Sequence, residues 1–140
     1  MSKRKHAPIP EDIRQQADKI IADFNKSVVK NPKCFYVPRY NGSYLYLDRH
    51  NLVPVGPICR LKYLGRMDNW EFAIYKYSKE RYDPDEWFFP GAGHVDGTLE
   101  GAMKAGLEAY PLSDYEGLGL LKVWLALLKG WLALLSGKER

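Results

Sequence analysis

The stretch Pro90-Gly91-Ala92-Gly93-His94-Val95-Asp96-Gly97 is the most suggestive run of chemistry-bearing residues in the chain. A glycine-rich backbone ahead of a helix can aim its N–H groups at a phosphate. Here the supporting residues are missing. No Gly-Lys-Ser/Thr follows, and the glycine spacing is not that of a dinucleotide fingerprint. A structural turn into the next helix accounts for the same residues. His94 and Asp96, taken with Asp85 and Glu86, form a candidate acid–base or metal cluster. A single His among scattered carboxylates lacks the ligand spacing that a particular metal requires. No metal and no cofactor is therefore expected. Nucleophilic catalysis has no better footing, because no Gly-x-Ser-x-Gly elbow occurs. Cys34 and Cys59 sit in apolar, strand-like surroundings that predict buried, unreactive thiols.

A second group of residues fits binding instead of catalysis. Arg60, Lys62 and Lys76 lie on expected strands, with Tyr44, Tyr46, Tyr75 and Tyr77 nearby. Aromatic side chains on a sheet can stack bases while flanking cations hold phosphates. The simpler reading is that Tyr and Arg cover an exposed sheet face, with their apolar stems lying along it.

The third group is at the C-terminus. Aligned in sevens, residues 117–137 read GLGLLKV, WLALLKG, WLALLSG. Leu118, Leu125 and Leu132 share one column, and Leu121, Leu128 and Leu135 share another. Trp124 and Trp131 fill a third. On a helix these columns merge into one broad apolar face, wider than the seam of a two-stranded coiled coil. Such a face is hidden by the chain's own core, by a second copy, by another protein or by a lipid surface. Spanning a bilayer is disfavoured. Residues 118–135 just reach the lower length limit, and Lys122 and Lys129 would each cost ~3 kcal/mol near the middle.

These groups must be positioned by ordinary elements. Pro10, Glu11 and Asp12 open a helix whose apolar residues Ile13, Ala17, Ile20, Ile21, Phe24 and Val28 recur to about Lys30. Strands are predicted over 35–40 and 43–48, joined by Asn41-Gly42 as a two-residue hairpin pair. Pro38 places the first of these at a sheet edge. A second hairpin is expected from 58–64 and 70–78, followed by a turn at Tyr82-Asp83-Pro84-Asp85. Trp87, Phe88 and Phe89 are expected to close the sheet or cap the core. Thr98 caps a helix over 99–110, which Pro111 ends. The expected core includes Ile20, Phe24, Leu45, Leu47, Leu61, Phe72, Ile74 and Leu107.

The fold class is thus α+β: an N-terminal helix, a four-stranded antiparallel sheet, a helix, then the C-terminal amphipathic helix. Residues 1–9 form a basic tail, 10–112 the α+β domain and 113–140 the repeat helix. A chain of 140 residues is one domain's worth, large enough to fold without staples. The net charge of +4 owes much to Lys3, Arg4, Lys5, Lys138 and Arg140 at the ends, so it says little about the middle. Two cysteines and a polar N-terminus suggest a reducing, cytoplasmic setting. The leading expectation is a non-enzymatic interaction module that forms a homo-oligomer, or docks another protein, through residues 117–137. A nucleic-acid binder using Tyr44, Tyr46, Arg60, Lys62, Tyr75 and Lys76 is the alternative, and peripheral membrane contact is a third.

Overall fold

A computed structural model describes residues 7–50 and 56–112. The chain divides into two units, Met1–Tyr110 and Pro111–Arg140, and the elements of the fold belong to the first. The expectations for the repeat at 117–137 lie outside the described residues.

Helix α1 spans Glu11–Phe24, with extended Pro10 ahead of it and Glu11 and Asp12 in its first turn. Acids there oppose the positive end of the helix dipole. Ala17, Ile21 and Phe24 form its buried stripe, and Ile20, expected in the core, is only half-buried beside it. The helix does not run on regularly to Lys30. Asn25–Val29 is a π turn, closed by the Lys30 N–H on the Asn25 carbonyl at 2.8 Å. The wider turn rotates the apolar stripe by one position. Val29 is buried and Val28 is exposed, the reverse of what regular spacing gives.

The sheet has five antiparallel strands in chain order: β1 (Phe35–Asn41), β2 (Tyr44–His50), β3 (Gly56–Tyr63), β4 (Trp70–Lys76) and β5 (Arg81–Asp83). Pro38 does lie on an edge strand, β1. The open edge of β1 is blunted by Asn25. Its side-chain amide donates to the Tyr36 carbonyl at 3.0 Å, and its oxygen accepts from the Tyr36 N–H at 2.8 Å. One side chain thereby takes the place of a neighbouring strand.

Two details correct the sequence reading. The first hairpin turns on Gly42 and Ser43, not Asn41 and Gly42, because Asn41 pairs with Tyr44 in the ladder. Gly42 takes the positive φ of 62°, and Ser43 does not need one, which suits a glycine-first two-residue loop. The Gly42 and Ser43 carbonyls accept from Ile9 and Tyr63, fixing the turn from both sides. The second correction is β5, which stands where a turn was expected. Three residues are too few to show alternation. They pair Tyr82 with Tyr75 and Arg81 with Lys76, and Asp83 is held by Lys79 at 3.1 Å.

Helix α2 spans Leu99–Ala109. It packs on the same sheet face as α1, over Leu45, Leu47, Leu61, Phe72 and Ile74. Its sheet-facing side is made of Leu99, Ala102, Met103, Ala105 and Gly106, so Leu107 is turned off the core and half-buried. The small residues bring the helix close. A Cβ on Gly106 would stand 2.4 Å from the Tyr36 hydroxyl and 2.7 Å from Ile58 Cγ2. Tyr36 uses that closeness to donate to the Met103 carbonyl at 2.6 Å. Burying each large apolar side chain here contributes about 1.5–3 kcal/mol. The same alternation that buries Leu45 and Leu47 carries Arg49 into the core, where it is 1% exposed.

Candidate nucleic-acid interface

With both helices on one side, the other face of the sheet carries no helix among the described residues. Strand alternation decides what it displays. Across the ladder, Arg39 pairs with Tyr46, Tyr46 with Arg60, and Arg60 with Ala73. The neighbouring row runs Tyr44, Lys62, Glu71, and Tyr75 pairs with Tyr82 at the far edge.

These side chains form a connected layer of rings and cations. The Arg39 guanidinium lies 4.4 Å from the Tyr46 ring centre. Arg60 lies 4.6 Å from that of Tyr44 and 5.3 Å from that of Tyr82. The Tyr46 and Tyr82 rings are 5.3 Å apart, although β3 and β4 separate their strands. At strand spacings of about 4.8 Å, that contact requires both rings to lean inward over the middle of the face. Ala73, opposite Arg60 in the ladder, is small and buried. The series continues through Tyr75, Tyr77 and Tyr110, with successive ring centres 4.8–5.4 Å apart. Burial raises the Tyr77, Tyr82 and Tyr110 phenols above their usual range.

The cations differ in availability. Arg39 is spent on Asp48, through Nε at 3.0 Å and Nη2 at 3.3 Å. Arg60 and Lys62 make no ion pair with any described residue. They supply the positive charge that the face can offer a partner.

Of the six residues expected to bind nucleic acid, Tyr44, Tyr46, Arg60, Lys62 and Tyr75 share this face. Lys76 does not. It alternates to the other side and pairs with Glu86 at 3.5 Å. Arg39, Glu71 and Tyr82 belong to the face and were missed. Alternation from Val37 through Arg39 to Asn41 held the signal for Arg39, whereas Tyr82 sits on a strand too short to read.

The glycine-rich loop serves α2. The Thr98 hydroxyl accepts the Gly101 N–H at 3.0 Å, while Asp96 accepts both the Thr98 N–H and hydroxyl. Those bonds hold the Asp96 carboxyl below its usual range. His94 bonds Glu108 at 2.9 Å, the Asp85 N–H donates to Asp83, and Glu86 holds Lys76. The His94, Asp96 and Glu86 side chains of the candidate cluster thus have separate local partners. Among the described residues no three His, Cys, Asp or Glu side chains are grouped to hold a metal ion. Cys34 and Cys59 are both fully buried, and burial pushes the Cys59 thiol up, which makes it a poor nucleophile. Phe89 stacks on Phe72 and Trp87 lies beside them, but Phe88 is 96% exposed and caps nothing.

The fold and this face define an antiparallel meander shielded by helices on one side and presenting tyrosines and cations on the other. Compared with protein-family models, with curated proteins and with solved structures, the chain matches none. No helix among the described residues is long and apolar enough to cross a membrane.

Proposed function

We propose that this protein is a non-enzymatic binding module that holds single-stranded nucleic acid on the open face of its sheet. The observation that carries this reading is the Arg60 guanidinium, set between the Tyr44 and Tyr82 rings with no carboxylate partner among the described residues. A guanidinium placed beside rings offers a cation on which a base can stack, and Lys62 in the next row can meet a phosphate. Base–aromatic stacking is worth about 1–3 kcal/mol per base and tolerates any sequence, so modest affinity for many strands is expected.

The test is a salt titration with a fluorescent oligothymidylate. Changing Arg60 and Lys62 together to Ala is expected to weaken binding. It should also flatten the slope of log K against log salt by about 0.7, the worth of the one single-strand phosphate contact given to Lys62. Absence of binding by the unaltered protein at low salt would end this reading.

A second reading rests on the Leu/Trp columns of 117–137, including Leu118, Leu121, Trp124, Leu125, Leu128, Trp131, Leu132 and Leu135. The apolar face that these columns would make on a helix supports self-association, whose test is the mass in solution with and without residues 117–140. The full chain is expected to run as an oligomer and the shortened chain as a monomer. A full chain that is already monomeric contradicts this reading.

A further inference from the structure

The open face contains a small cleft of about 180 Å³, lined by Tyr44, Arg60, Lys62, Glu71, Ala73 and Pro84. We infer that this cleft receives one nucleobase and prefers guanine, read through the carboxylate of Glu71. The inference rests on the nucleic-acid reading above and goes further by naming a base.

Size sets the first limit. The cleft is smaller than the roughly 300–1,000 Å³ of a drug-sized ligand site and several times the ~30 Å³ share of one water. It suits a single planar ring system, not a whole nucleotide or a stacked pair. Its lining suits such a ring, because Tyr44, Ala73 and Pro84 are apolar.

The rim sets the chemistry. Lys62 and Glu71 are direct cross-strand partners. Neither side chain makes a hydrogen bond or ion pair with another described residue, so a donor and an acceptor stand side by side. A carboxylate offers two adjacent acceptors. Guanine carries two adjacent donors, N1–H and the N2 amino group, with the O6 acceptor next to them for Lys62. Cytosine and adenine offer one amino group beside a ring acceptor. Thymine and uracil flank their single N–H with two carbonyls, which a carboxylate repels.

The test measures the binding of oligothymidylates with one internal position changed to guanine, adenine or cytosine, for the unaltered protein and for Glu71→Gln. Glu71 is exposed, so the substitution leaves the core alone. The guanine-bearing strand is expected to bind about tenfold tighter than the others, a typical discrimination for a bidentate contact. Glu71→Gln is expected to remove that preference while binding of plain oligothymidylate persists. Equal binding of all four strands overturns the guanine inference and leaves the nucleic-acid reading standing. Binding of none of them overturns both.

Discussion

Replacing Arg49 with Ala is expected to destabilise the protein by about 2–5 kcal/mol, the range for emptying the space of a large buried side chain. Arg49 is buried and has no carboxylate partner among the described residues. Its guanidinium lies 5.6 Å from the Tyr36 ring centre, its Nη1 donates to the Gly106 carbonyl at 3.5 Å, and its Nη2 donates to the Tyr110 carbonyl. Nε has no partner. The compensation for burying the charge therefore comes from the negative end of α2 and the face of a ring. Alanine removes the donors and leaves a cavity beside Tyr36. Methionine fills much of that space and brings no charge to desolvate, so Arg49→Met should cost less than Arg49→Ala. Lysine keeps the charge but loses the fork that reaches two carbonyls, and its ammonium is more strongly hydrated. Arg49→Lys should therefore be less stable than Arg49→Met. Urea denaturation of the three variants checks this order. A lysine variant as stable as the parent would show that charge alone is what the site needs.

Gly91→Ala is expected to cost about 2–4 kcal/mol, combining backbone strain with overpacking. Gly91 has φ of 97°, where a side chain is strained whatever the space around it. Space is also lacking, since a Cβ would stand 2.5 Å from the Ala105 carbonyl oxygen and 3.0 Å from Glu108 Cβ. The loop thus rests directly on α2, and the substitution must push one off the other. Gly93 supplies the control two residues away. It has no positive φ, and a Cβ there meets nothing within 4 Å. Gly93→Ala should stay within about 0.5 kcal/mol of the parent. Thermal or urea unfolding of the pair measures the difference directly. Equal stability of the two variants would mean that the loop is not packed on α2.

The same contrast shows what the sequence could and could not disclose. Long periodic segments were legible. The stripe of Ala17, Ile21 and Phe24 marked α1, the alternation of Leu45 and Leu47 marked β2, and Thr98 marked the start of α2. Pro38 marked an edge. Features that break the period were not legible. The π turn at Asn25–Val29 depends on Asn25 reaching the backbone of Tyr36, a contact between residues 11 positions apart. β5 has no alternation of its own and exists because β4 offers it a register. Arg49 reads as the polar end of a strand, since only the arriving C-terminus of α2 makes a buried cation tolerable there.

For the candidate face the limit was similar. Tyr44, Tyr46, Arg60 and Lys62 follow from the parity of two well-marked strands. Assigning Lys76 beside Tyr75 ignored that parity, because neighbours on a strand point to opposite faces. Tyr82 and Glu71 acquire meaning only once the strand order brings Tyr82 against Tyr46 and Glu71 opposite Lys62.

The central claim is that the open sheet face is the binding surface. Amide chemical-shift mapping of isotope-labelled protein during titration with oligothymidylate addresses it most directly. The largest changes should fall on Tyr44, Tyr46, Arg60, Lys62, Tyr75 and Tyr82, with the outward side of α1 unaffected. Changes confined to the helices, with those six amides unmoved at saturation, would contradict the claim.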